Sequence, residues 1–339
     1  MPDAASITPL DAVDLLLADL DGVVYAGPHA LPYAVESINR AQESIRIGYV
    51  TNNASRTPAS VAGHLSELGL RVSPDDVVTS PQAAIVLLEE LVPAGSTILV
   101  VGGEGLTTIV EEHGFRVTRT AEDAPAAVIQ GFYPGVTWSD LAEAAYALRA
   151  PVEGEGIPWV ATNTDWTIPQ ARGIAPGNGT LVSAVHTAVG RLPVVAGKPE
   201  RAIFDAAVER FGASVPLFLG DRLDTDIVGA NRAGIASALV LTGIDGPKEV
   251  LAADVASRPT FLLGDLRELF EPYTTPVETT EGADRVFTSG TSRVRLSGST
   301  VRIEDEGMSD IDVLRAGTAA VWGSGIPIYA LDVDPGLYS

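Results

Sequence analysis

The chain has 339 residues, 22 of them Lys or Arg and 44 Asp or Glu, so its formal net charge is −22. That imbalance argues against a nucleic-acid backbone or an anionic membrane as the main partner, since both would be repelled. With 46% hydrophobic residues and no cysteine, it is a globular chain of two or three domains without disulfides, thiolate nucleophiles or Cys-ligated metals.

Residues 13–18 form a buried-strand run, 32–44 carry helical spacing, 45–51 read as a second strand and 58–68 as a second helix closed by Gly69. The alternation continues through 98–102, 106–113, 126–132, 138–148 and 159–162, then through 199–211, 217–220, 224–233 and 238–241. Strands followed by helices at this spacing predict an α/β fold with a doubly wound, Rossmann-like parallel sheet. In such sheets ligands bind at the carboxyl edge of the strands. From Glu271 the texture changes. Pro272, Thr274, Thr275 and Pro276 read as a linker. Beyond it, short strands at 285–288, 292–296 and 301–303, a helix capped by Ser309 and a last strand at 326–332 predict a small C-terminal α+β module. Its apolar Trp322, Ile326, Ile328 and Tyr329 must pack on the core or on a second subunit.

No segment has the roughly 20 apolar residues that span a bilayer. Residues 1–9 lack the basic and hydrophobic regions of a secretory signal, so the expected compartment is the cytoplasm. His29, His64, His113 and His186 show no metal-binding spacing.

Four polar clusters directly follow predicted strands. In Asp19-Leu20-Asp21-Gly22 a sharp turn at the glycine can bring both carboxylates to one pocket; otherwise it is only a polar turn. Thr51-Asn52-Asn53-Ala54-Ser55 offers a hydroxyl, amides and main-chain N–H groups to an anion, or else caps a helix. Lys198 lies between Gly197 and Pro199 and is one of only two lysines; its compact ammonium suits contact with a carboxylate and a phosphoryl oxygen together. Asp221, Asp224 and Asp226 crowd three carboxylates into six residues, which a hard, oxygen-preferring cation such as Mg2+ would hold together. The alternative is an acid-rich helix start.

In this order and at these strand ends, the four clusters resemble those of the haloacid dehalogenase superfamily of phosphohydrolases, over residues 14–270. The long stretch between Thr51 and Lys198 looks like the α/β cap of the branch holding para-nitrophenyl-phosphatase, phosphoglycolate phosphatase and pyridoxal phosphatase relatives. The resemblance implies a catalytic core at 1–80 and 191–270, a cap at 81–190 and a separate module at 277–339. Asn163-Thr164-Asp165 stands where relatives often have Asn-Pro-Asp. The added module resembles the extended actinobacterial members, including the mycobacterial-type glycerol 3-phosphate phosphatases.

The resemblance implies that Asp19 is the nucleophile forming an aspartyl-phosphate and Asp21 the general acid and base. Thr51, Asn52, Asn53 and Lys198 would bind the substrate. Asp19, Asp21 (through its carbonyl) and Asp221 would hold Mg2+, with Asp226 behind them. The implied reaction is hydrolysis of a small phosphorylated metabolite, first of all glycerol 3-phosphate, in glycerolipid metabolism. Phosphoglycolate or pyridoxal phosphate as substrate, a dehalogenase, and an inactive phospholigand-binding relative are the alternatives. A homo-oligomer is left open.

Overall fold

The computed structural model describes residues 7–149, 156–170 and 172–338. Residues 1–6, part of the segment expected not to be a secretory signal, lie outside that range. The chain divides into two units, residues 1–47 with 213–339, and residues 48–212.

In the first unit the strand Leu15–Ala18 has four residues with no solvent exposure, as in a strand covered on both faces. It pairs in parallel with Pro216–Gly220, Leu15 beside Pro216 and Ala18 beside Leu219. Asp14 fixes that register. Its carboxylate accepts the main-chain N–H groups of Ser214 and Val215 at 2.7 and 2.9 Å, and these bonds hold its carboxyl below the usual range. Ala236–Val240 and then Phe261–Leu263 continue the sheet in parallel. This is the Rossmann-like α/β arrangement that the alternation predicts.

The second unit carries its own parallel sheet, in the order Val194–Val195, Trp159–Ala161, Ala127–Gln130, Thr97–Val101, Arg116–Thr118. Helices Trp138–Leu148 and Asn178–Val189 cover one face around Val128, Trp159, Ala161, Val182 and Val185. Elements absent from the sequence reading also appear here: the strand Val77–Thr79, the helix Ser80–Leu91 and the hairpin Thr167–Gln170 with Gly173–Pro176.

The C-terminal module belongs to the first unit. Val277–Glu281, Asp284–Ser289, Ser292–Ser297 and Thr300–Asp305 form an antiparallel meander, and Asp332–Val333 adds in parallel. Strand Ser292–Ser297 alternates strictly. Val294 and Leu296 point in, while Arg293 and Arg295 point out to Glu281 at 2.8 and 2.5 Å. The helix Asp310–Ser324 starts at Ser309 as expected, but the Ser309 hydroxyl accepts no first-turn N–H. The expected strand at 326–332 is mostly a tight turn, because Ala330 and Leu331 bond back to the carbonyls of Pro327 and Ile328.

Of the two coverings open to the module, the core supplies one. It reaches Trp322 and Ile328 of the expected apolar set, whereas Tyr329 stays 89% exposed because the tight turn at 328–330 carries it outward. Val294, Leu296, Leu314 and Val321 share one apolar cluster with Leu239, Val250, Leu251 and Leu262 of the parallel-sheet region. Arg315 ties the two parts together from inside. Its guanidinium donates twice to the Leu262 carbonyl (3.0 and 2.8 Å), meets Glu268 at 2.5 Å and Asp312 at 3.0 Å, and stacks 4.4 Å from the Tyr273 ring. Trp322 Nε1 donates to the Val250 carbonyl at 3.1 Å. Burial pushes the Glu268 carboxyl upward, and Arg315 pulls it back.

Arg315→Ala should therefore cost about 3–5 kcal/mol, the loss typical when one partner of a buried ion pair is removed, read by urea unfolding. Without Arg315 the Glu268 pKa rises further above its unfolded value, so its stabilising contribution is lost as pH rises. The gap between variant and wild type should narrow at acid pH. A gap of under about 1 kcal/mol at neutral pH would mean that Arg315 does not fasten the module.

Candidate active site

The strand Leu15–Ala18 runs directly into Asp19, whose N–H still bonds to the Leu219 carbonyl at 2.9 Å. The chain then turns. Leu20 O accepts the N–H groups of Val24 and Tyr25, and Gly22 sits at φ +85°, a conformation open to glycine. The sharp turn at the glycine is present, but it does not bring both carboxylates of the Asp-x-Asp pair together, since Asp21 is exposed.

The neighbouring strand Pro216–Gly220 ends in the second acidic group. Asp226 is fully buried, and its Oδ2 accepts the N–H groups of Asp221 and Arg222 at 3.1 Å each. Its carboxylate thus folds the 221–227 turn around itself. Asp221 is also buried; its Oδ2 accepts the Ile244 N–H at 2.8 Å and its carbonyl accepts the Asp245 N–H. Asp19, Asp221 and Asp226 each present a carboxylate oxygen within 4.8 Å of the others. Asp224 instead is exposed and pairs with Arg222 at 2.8 Å, outside this group. Asp21 is exposed, and its carboxylate does not contribute to the cluster.

Three oxyanions packed that closely repel one another, and burial deepens the penalty. A set made only of hard oxygen donors fits a divalent cation such as Mg2+. The helix-start alternative accounts for Asp224 and Asp226, which stand in the first turn of the helical segment Leu223–Ile227, but not for Asp221, which precedes that segment and is buried.

Sequence reasoning missed the loop after the third strand, Ala236–Val240. Thr242 donates to the Gly22 carbonyl at 2.7 Å, and Asp245 accepts the Leu223 N–H at 2.6 Å while burial pushes its carboxyl up. At Gly243 a Cβ would stand 2.0 Å from Asp221 Oδ2. This loop also follows a strand end, which was the available signal; it lacked a dense cluster of charge.

In the second unit Thr51 ends the strand Arg46–Thr51 and is buried. Its Oγ1 accepts the Asn53 N–H at 3.1 Å, and Asn53 Oδ1 accepts both the N–H and the hydroxyl of Ser55. The helix-cap alternative for this stretch falls away, since Thr57 caps the helix Pro58–Glu67. The Asn52 side chain bonds to the main chain of Lys198, itself buried, and to Asp165.

The chain matches two family profiles, described as haloacid dehalogenase-like hydrolase over residues 16–116 and HAD-hydrolase-like over 195–269. A D-glycerol 3-phosphate phosphatase of Mycobacterium tuberculosis is 43% identical over 312 residues, spanning 91% of this chain and 86% of that protein. The crystal structure of a glycerol phosphate phosphatase from the same organism, in complex with magnesium, aligns with a TM-score of 0.83 and 40% identity over 96% of this chain and 95% of that one. A 4-nitrophenylphosphatase from Thermotoga maritima aligns at a TM-score of 0.70 and 30% identity; 98% of its length matches 78% of this chain.

Gly243→Ala should push the Asp221 carboxylate out of the cluster and weaken Mg2+ binding about 10- to 100-fold, as changes behind metal ligands do. Calorimetric titration of the variant, with circular dichroism to confirm its fold, reads this. Unchanged affinity would remove Asp221 from the cation site.

Proposed function

The chain belongs to the haloacid dehalogenase-like hydrolases, and on that footing we propose that it is a Mg2+-dependent phosphatase that converts glycerol 3-phosphate to glycerol and phosphate. The observation that carries the chemistry is the convergence of Asp19, Asp221 and Asp226 at adjacent strand ends. The choice of substrate rests on the 43% identity to the mycobacterial D-glycerol 3-phosphate phosphatase, which extends over 91% of the chain.

In this reading Asp19 attacks phosphorus and becomes an aspartyl-phosphate. Asp21 protonates the departing alcohol oxygen, then takes a proton from the water that releases phosphate. Thr51 and Asn52 hold phosphoryl oxygens, Asn52 through its main-chain N–H because its amide is committed elsewhere, and Asn53 keeps the loop in shape. Lys198 neutralises phosphoryl charge. Mg2+ on Asp19, Asp221 and the Asp21 carbonyl, with Asp226 supporting Asp221, would supply the further positive charge that a weak carboxylate nucleophile needs. An acid assisting the leaving group and a cation site favour phosphate-ester cleavage over halide displacement, which needs neither.

We also divide the chain into a catalytic core at 1–80 and 191–270, a cap at 81–190 and the module at 277–339, and we place its work in the cytoplasm. Among the described residues no helix is long and apolar enough to cross a membrane.

Asp19→Asn should lower phosphate release by several orders of magnitude with the fold intact. Retention of more than about a tenth of wild-type turnover would take the nucleophile's role from it. In a panel of small phosphate monoesters compared by kcat/KM, glycerol 3-phosphate should lead. A higher value for phosphoglycolate or pyridoxal phosphate would reassign the substrate, and no turnover of any ester would leave an inactive, ligand-binding relative.

A further inference from the structure

Asn52 stands where the phosphate-binding loop begins, yet its side chain is spent on protein. The amide nitrogen has two hydrogens. One goes to Asp165 Oδ1 at 3.0 Å and the other to the Lys198 carbonyl at 3.0 Å. Its Oδ1 accepts the Lys198 N–H at 2.8 Å. The two bonds to Lys198 close a ring in which one planar amide grips both polar groups of a single residue's main chain. This mimics one rung of a β-ladder, and it fixes the direction in which the Lys198 side chain leaves the backbone.

The grip is itself held from behind. The Asn52 carbonyl accepts the Ser80 hydroxyl at 2.8 Å and the Asn163 amide at 2.7 Å. Asn163 Oδ1 accepts the Asp165 N–H at 3.2 Å, and Asn178 Nδ2 donates to the Asn163 carbonyl at 2.7 Å. Asn163 and Asn178 are buried. Asn52 therefore joins four segments distant in sequence: its own strand end, the start of the helix Ser80–Leu91, the 163–165 loop and the Lys198 turn.

We infer that Asn52 is a positioning residue for Lys198: its amide carries no phosphoryl oxygen but sets where the lysine's ammonium stands. This rests on the phosphatase reading for what Lys198 does, though not for the grip itself. A long, flexible ammonium side chain neutralises phosphoryl charge efficiently only if its stem is aimed in advance, and misplacement of a catalytic group by about 1 Å can cost a hundredfold in rate.

The chain's composition makes this directly testable. Lys198 and Lys248 are the only lysines, and Lys248 is exposed on the helix Pro247–Leu251. Lysine-selective labelling of the full-length protein therefore gives two side-chain NMR signals, which Lys248→Arg assigns. In wild type the Lys198 signal should be displaced from the position of a free lysine. In Asn52→Ala it should collapse toward that of Lys248, with circular dichroism and a cooperative thermal transition confirming that the variant keeps its fold. Turnover of an aryl phosphate should fall about 10- to 100-fold. Asn52→Asp keeps the size and the acceptor but loses both donors; it should move the Lys198 signal the same way and serves if the alanine variant does not fold. An unmoved Lys198 signal in a folded variant with lowered turnover would overturn the inference and make the Asn52 side chain a direct phosphoryl contact. An unmoved signal with unchanged turnover would overturn it as well. If wild type hydrolyses no phosphate ester, the phosphatase reading fails, while the NMR comparison still decides whether Asn52 aims Lys198.

Discussion

Three carboxylates whose oxygens lie within 4.8 Å of one another, two of them buried, are the constraint around which the first unit is organised. In a chain of net charge −22 the surrounding field makes their crowding worse. The fold meets it in two ways. Main-chain N–H groups point at the acids: those of Asp221 and Arg222 at Asp226, and that of Ile244 at Asp221. Glycine at position 243 leaves the room that the Asp221 carboxylate fills. What N–H groups leave uncompensated is the charge itself, and a divalent cation is the natural complement. In the phosphatase we propose, the same acids that are costly to assemble would become the means of concentrating positive charge on an anionic substrate.

The second unit treats its polar groups differently. Asn52, Asn163 and Asn178 form a chain of amide-to-main-chain bonds with Lys198 at one end. Neutral amides donate and accept at once, so one side chain can tie two strands of chain together without adding charge. Lys198 depends on that scaffold for its position as Asp221 depends on Asp226 and on the loop at 242–245.

The parallel sheets and the four polar clusters were legible in the sequence because both follow local rules. Buried strands read as apolar runs, as in 15–18, and ligand-binding groups follow the carboxyl ends of those strands. Asp19, Asp221 and Lys198 stood out by charge or by rarity. The loop at 242–245 did not, since its contribution is largely through main-chain groups and a missing Cβ, which composition hides. Asn52 was noticed for other atoms: the sequence suggested an amide turned to an anion, whereas partners more than 110 residues away take both hydrogens of the amide. The hairpin Thr167–Gln170 with Gly173–Pro176 left no apolar alternation to read, and its Ile174 is 74% exposed. The linker reading at 272–276 saw a boundary in the proline pattern, but it could not show that Arg315 and Trp322 reach back across it to the carbonyls of Leu262 and Val250.

As a cation site, the acids at the strand ends must hold a divalent ion in the folded chain. Crystals of the full-length protein grown with Mn2+, a hard cation that stands in for Mg2+ and scatters anomalously, test it most directly. One anomalous peak per chain, bonded to carboxylate oxygens of Asp19 and Asp221, is the predicted result. A map with no peak beside these carboxylates, in crystals whose Mn2+ occupies other sites, would exclude a cation site there.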